Sequence, residues 1–152
     1  MPLLLLLLLA LPASAATAGP DTRAVRLAEP PDLEAVLPAV ARQRLVFVGE
    51  THDRYAHHLN QLAVVKAMHR HHGEALAIGL EFFQQPYQAA LDDYVAGRID
   101  ERTLLERTQY YARWRFDYRL YRPVLRYARE HGIPLVALNV PGELVRRVGR
   151  GG

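Results

Sequence analysis

Four consecutive apolar residues that stop at a glycine constrain this chain more than any other feature. Leu45-Val46-Phe47-Val48 shows no polar alternation, the pattern of a strand buried on both faces of a parallel sheet. Gly49 ends the run. Glycine reaches backbone angles closed to residues with a Cβ, so a sharp turn is expected there. Glu50 and His52 would then stand just past the carboxyl end of a strand, where ligands bind in open α/β sheets. A carboxylate and an imidazole two residues apart can hold a metal, move a proton or touch a cofactor. A polar turn whose histidine bonds only to backbone accounts for the same residues.

Two further runs end in the same way. From Tyr55 to His72 the positions Leu59, Leu62, Ala63, Val65 and Met68 recur at helical spacing, with Gly73 as the stop. Ala75 to Leu80 then predicts a second buried strand, followed by Glu81, and Pro134 to Leu138 a third, followed by Asn139. A helix between parallel strands makes a right-handed crossover that brings their carboxyl ends together. Glu50, His52, Glu81 and Asn139 are therefore expected along one edge of the sheet. His57 and His58 open the intervening helix, close enough for one of them to face that edge. His69, His71 and His72 fall in its last turn, where the helix dipole suits them as surface cations.

Between the second and third strands the pattern predicts three helical segments. Pro86 suits a first turn ahead of Leu91, Tyr94 and Val95, with Gly97 as the stop. Asp100 is placed to cap the next helix, with Ile99 and Leu104 as a hydrophobic staple. The third carries Tyr121, Val124, Leu125 and Ala128 on one stripe before Gly132, with Pro123 as a kink or a true start. So long an insertion reads as a helical cap over the site. Within it Tyr110, Tyr111, Trp114, Phe116, Tyr118 and Tyr121 interleave with Arg113, Arg115, Arg119 and Arg122. Aromatic faces and guanidinium groups suit a flat, carboxylate-bearing ligand such as haem, with Tyr or His as axial ligand and Arg on the propionates. A cap core of aromatics with arginines on its surface fits equally.

Composition narrows the chemistry. The chain has no cysteine, which excludes disulfides, thiolate zinc or iron–sulfur ligation and thiol nucleophiles. Residues 110–152 hold nine arginines against three acids, yet arginines on helices are usually a solvated face, and nucleic-acid binding is not expected. Neither a His-Glu-x-x-His pair, nor a phosphate loop, nor a dinucleotide glycine fingerprint is present. Residues 1–18 read as a signal peptide, with Leu3 to Leu9 as its apolar stretch and small residues at Ala13-Ser14-Ala15 or Ala16-Thr17-Ala18 for cleavage. Residues 19–31 read as a linker. Asp32 can cap a short helix bearing Leu33, Val36, Leu37 and Val40, interrupted or kinked at Pro38.

The motifs, taken in order, resemble the ChaN-type haem-binding uptake proteins of the Tiki superfamily. The resemblance is carried by Val46-Phe47-Val48-Gly49-Glu50-Thr51-His52-Asp53, by Gly79-Leu80-Glu81-Phe82-Phe83, by Trp114 to Asp117 leading into Tyr121-Arg122-Pro123, and by Ala137-Leu138-Asn139-Val140-Pro141. It covers roughly Leu33 to Val148. Gly49 to His52 stands at the superfamily's Gly-x-x-His signature and Glu81 at its acidic partner. The resemblance implies haem or iron acquisition at a bacterial envelope, with haem between subunits. Relatives include metal-dependent peptidases and erythromycin esterases that use similar Glu and His positions. Family members run on past this length with a second half-sheet, and Gly142 stands where an arginine is more usual.

The expectation is thus an α/β fold, a parallel sheet with crossover helices and a helical cap insertion. Residues 32–152 would form the N-terminal part of a longer fold. The functional expectation is an exported haem-binding protein of the periplasm or cell envelope. Glu50, His52, His57, Glu81, Trp114, Tyr118 and Asn139 would contact the cofactor, and a homodimer and an outer-membrane uptake system are the expected partners. The alternative is a metal-dependent hydrolase in which Glu50, His52 and Glu81 bind a divalent metal and carry catalysis.

Overall fold

A computed structural model describes residues 32–150. The expected signal peptide and linker lie outside the described residues.

The described part opens with α1 (Leu33–Ala41), which runs unbroken through Pro38. Asp32 takes the cap position there without a side-chain hydrogen bond. α2 (Tyr55–His72) has the expected bounds, but its buried residues are His58, Val64, Ala67 and Met68 while Leu59 is exposed; Gly73 ends it at φ 55°, a left-handed angle that favours glycine. A single 3-10 turn (Gly73–Ala75) leads to β1 (Ile78–Gln84), and another (Gln85–Tyr87) to α3 (Gln88–Val95). The cap continues with α4 (Glu101–Arg107), α5 (Tyr110–Arg113) and α6 (Tyr118–Glu130), followed by β2 (Leu135–Asn139) and α7 (Gly142–Val148). Asp100 caps α4 by accepting from Thr103 N–H at 2.8 Å. α6 starts at its Asp117 cap, six residues ahead of Pro123, so the proline lies inside the helix and does not mark its start.

The sheet differs from expectation in two ways. β1 and β2 pair in parallel, Ile78 with Leu135 and Leu80 with Ala137, but the segment 45–48 is not part of the ladder. The reason is cover. An apolar run without alternation needs neighbours on both faces, and the described helices pack on one face only. Val46 alone of the four leans on the core, whereas Leu45 and Phe47 are 70% and 88% exposed. The open face of the sheet likewise shows Val136 and Leu138 to solvent.

The second strand is also shifted from the expected 75–80, starting at Ile78 and running to Gln84, so Glu81 lies within β1 rather than after it. Between Leu80 and Gln84 the register slips against Ala137 and Asn139. A bulge of this kind breaks the two-residue alternation. It lets the neighbouring Phe82 and Phe83 both pack inward while Glu81 stays exposed. The far edge of β2 is closed by a side chain. Gln88 donates to Leu135 O at 2.7 Å and accepts from Ala137 N–H at 2.8 Å, standing in for a neighbouring strand.

The core lies between the covered face of the sheet, through Leu80, Phe83 and Leu135, and helices α2, α3 and α6. Tyr121, Val124, Leu125 and Ala128 form the buried stripe of α6. Each such large side chain contributes about 1.5–3 kcal/mol on burial. That stripe fixes α6 against α2 and so carries Tyr121 to the loop that precedes α2.

Candidate functional site

The loop between residues 49 and 54 is short and tied at both ends. Arg54 N–H donates to Thr51 O at 2.9 Å, and Thr51 N–H donates to Nδ1 of His57, also at 2.9 Å. His57 is therefore occupied in holding the loop, with its Nδ1 turned to backbone. The fold at this point fixes Glu50 and His52 relative to α2.

Glu50 is the hub. Its side chain is only 10% exposed. Oε1 lies 2.8 Å from Nδ1 of His52 and accepts from the Tyr121 hydroxyl at 3.2 Å. Oε2 lies 2.8 Å from Nε2 of the fully buried His58. The His58 N–H is directed at the His52 carbonyl oxygen, 3.1 Å away, so its approach to Oε2 is electrostatic rather than a well-aligned hydrogen bond. One carboxylate is thus flanked by two imidazoles and a phenol. Burial, above all, pushes the Tyr121 phenol up, and the charges of Glu50 and Glu81 add to it, so Tyr121 stays a neutral donor.

His52 faces outward from this hub. With Nδ1 held by the carboxylate, the remaining ring nitrogen, Nε2, makes no hydrogen bond to a described residue and is not among the buried unpaired atoms. A carboxylate on one nitrogen fixes the ring and raises the basicity of the other, the arrangement of a metal-ligating histidine. Trp114 meets the ring edge-on with centroids 4.8 Å apart, and Phe116 lies tilted at 4.6 Å. Behind them Phe82 packs on Tyr121 at 4.3 Å, an arrangement that depends on the β1 bulge.

Three buried polar atoms at this one place, Oε2 of Glu50, Nδ1 of His58 and Nε1 of Trp114, have no hydrogen-bond partner among the described residues. An unpaired buried polar atom costs about 1–3 kcal/mol, a cost that the 2.8 Å approach of His58 Nε2 reduces at Oε2. Such clustering marks a place where packing stability is not maximised.

The other expected site residues are placed differently. Glu81 is exposed in the middle of β1, and among the described residues no group of three or more His, Asp and Glu side chains is placed to hold a metal ion. The expected metal set of Glu50, His52 and Glu81 is thus not gathered: Glu50 is turned to two histidines, and the longer strand leaves Glu81 on the open face. Tyr118 is 4% exposed and packs on Tyr110 in the cap, with centroids 5.6 Å apart, away from His52. Burial pushes its phenol well above the ordinary tyrosine value. Asn139 ends β2 opposite Gln84, and its side chain bonds to no described residue. Gln84 has the role expected of that edge, accepting from Arg113 at 3.0 Å and from Gly142 N–H at 3.4 Å.

Sequence reasoning left open which of His57 and His58 faces the site and chose His57, whereas His58 is the one beside Glu50; Tyr121 was not expected as a partner of Glu50. The available signal was spacing: His58 follows His52 by six residues, within the first turn of a helix whose inward face also carries Leu62 and Val65.

The family described as haem-binding uptake, Tiki superfamily, ChaN, matches this chain over residues 36–152. The chain belongs to that family. No curated protein and no solved structure gave a match. Within this ChaN family member the matched region begins inside α1 and contains the whole Glu50 hub, both strands and the helical cap. Among the described residues no helix is long and apolar enough to cross a membrane.

Proposed function

We propose that this ChaN family member is an exported haem-binding protein of the periplasm or cell envelope, serving haem or iron uptake, and that Nε2 of His52 would hold the iron. The observation that carries the reading is the 2.8 Å contact of His52 Nδ1 with Glu50, which leaves Nε2 without a hydrogen-bond partner among the described residues, with Trp114 and Phe116 packed against the ring. The donor set fits the group. Neutral imidazole is a common haem ligand, and aromatic rings beside it match a flat apolar macrocycle. When bound, haem supplies an iron centre and two carboxylates.

The chain's own residues supply orientation and electrostatics. Glu50 accepts a hydrogen bond from Nδ1–H of His52, which orients the ring and leaves Nε2 as the nitrogen that would hold the iron. Tyr121 donates to the same carboxylate oxygen and fixes it. Phe116 and Trp114 pack on each other and against the ring, which fixes its tilt. Tyr118 and Tyr110 are poor candidates for a phenolate, because burial holds both hydroxyls in the neutral form.

His52 is about one-third exposed, so a ligand there would lie on the surface and keep one side uncovered. A second copy of the chain would cover that side, which supports a homodimer, and an outer-membrane uptake system would be the source of the cofactor. A hydrolase built on Glu50, His52 and Glu81 has less support, since Glu81 does not join the hub.

Titration of the mature chain with haemin tests the reading. A saturable Soret shift at one haem per chain, lost in His52→Ala, is the expected result. Absence of any shift would remove the proposal.

A further inference from the structure

The histidines in the last turn of α2 are not all free surface cations. His69 is half-buried, and its Nδ1 lies 3.0 Å from the Tyr127 hydroxyl on α6. His131, the C-cap of α6, is exposed, and its Nδ1 lies 2.9 Å from the Tyr127 carbonyl oxygen. A carbonyl only accepts, so Nδ1 of His131 carries the proton and its Nε2 presents a lone pair. The His131 ring also stacks on Tyr127, with centroids 4.0 Å apart. One tyrosine thus orients two imidazoles, one from α2 and one from the end of α6.

Nε2 of His69 and Nε2 of His131 make no hydrogen bond to a described residue, and neither is among the buried unpaired atoms. The two rings meet edge-on with centroids 5.1 Å apart. Imidazoles that share one metal ion through nitrogens at about 2.0–2.1 Å, at an angle of about 90–109°, place their centroids about 4.5–5.2 Å apart. The observed spacing falls in that range. Each Nδ1 is engaged by an oxygen, the outer contact that orients a metal-ligating histidine. Both rings also stand at the C-terminal ends of helices, where the partial negative charge favours a cation. Lys66, exposed and 5.5 Å from the centre of the Tyr127 ring, is a nearby charge that opposes it.

We infer that His69 and His131 form a second ligand site, one that takes a divalent transition-metal ion of the imidazole-preferring class, Zn2+, Ni2+ or Cu2+, with water in the remaining positions. The site is separate from the Glu50 hub, since His69 follows His58 on α2 by a rise of about 16 Å. It does not rest on the haem reading. A bound ion would clip α2 to the end of α6 and stabilise the fold by binding the folded state.

Calorimetric titration of the mature chain with Ni2+ tests the inference, with thermal unfolding as a second readout. The parent should bind Ni2+ and melt at a higher temperature with it. Tyr127→Phe keeps the stacked ring but removes the oxygen beside His69, and should weaken the ion about 10- to 100-fold. His69→Ala and His131→Ala remove a ligand itself and should each lose this site. His131 is exposed beyond the end of α6, so His131→Ala should keep the parent's circular dichroism, and the loss then reports on binding rather than folding. His71→Ala, at an exposed position of the same turn, should bind as the parent does. Absence of Ni2+ binding by the parent, or an affinity and stoichiometry unchanged in His69→Ala and His131→Ala, would overturn the assignment, as would loss of the site in His71→Ala.

Discussion

Nδ1 of His52 and Oε1 of Glu50 sit 2.8 Å apart in a loop of the ChaN-type chain, and the second oxygen of the same carboxylate lies 2.8 Å from His58. The pair separates two functions within one side chain. One ring nitrogen of His52 is held by Glu50, and the other has no hydrogen-bond partner among the described residues. Charge on Glu50 is held in place by buried partners on α2 and α6 rather than by solvent.

Replacing the carboxylate by its amide keeps the shape and removes the charge. Glu50→Gln should therefore weaken haemin binding about 10- to 100-fold, as loss of a partner behind a metal-ligating histidine commonly does, with the fold retained. Paired haemin titrations and circular dichroism would check both halves of this expectation.

His58 is predicted to matter for stability more than for ligand contact. It is fully buried against the Tyr121 ring, with centroids 4.6 Å apart. His58→Ala should cost about 2–4 kcal/mol from the cavity and from the loss of the contacts that surround Glu50. Urea unfolding would report this as a lower midpoint at an unchanged slope.

Gln88 holds two backbone groups of β2 that otherwise face no strand. Gln88→Ala should destabilise by about 1–3 kcal/mol, because both groups lose their partners. Faster hydrogen exchange at the Ala137 amide than at neighbouring strand amides would locate the effect.

The cap carries its own acid sensitivity. Burial alone would raise Glu101, but hydrogen bonds from Arg122 and Arg126 outweigh it and hold the carboxyl below its ordinary value. A carboxylate depressed in the folded state contributes stability above the unfolded pKa, about 4.3 for glutamate, and loses it as pH falls through the lower folded value. The parent chain should thus lose stability below about pH 4 more steeply than Glu101→Gln. Thermal unfolding across pH 3–7 would show the two curves converging at the acid end.

Much of this architecture is legible in the residues themselves. The bounds of α2 follow from its apolar spacing and Gly73, and the cap at Asp100 from its position ahead of Leu104, because both depend on interactions within a few residues. The segment 45–48 was misleading for the opposite reason. Whether an apolar run becomes a strand depends on what covers it, and that is not written in the run. The extension of β1 to Gln84 was hidden by a bulge, which places Phe82 and Phe83 both inward where alternation would separate them. For the site, the Glu50–His52 pair is local and was readable. Its union with His58 and Tyr121 depends on how α2 meets α6, with Tyr121 lying 71 residues from Glu50 in sequence.

The most direct test of the central claim is the ligand-field spectrum of the haemin complex, recorded by optical absorption and electron paramagnetic resonance for the parent, His52→Ala and Tyr118→Phe. Ligation by His52 predicts a nitrogen-ligated spectrum that disappears in His52→Ala and is unaltered in Tyr118→Phe. A parent-like spectrum in His52→Ala, or its loss in Tyr118→Phe, would contradict the account.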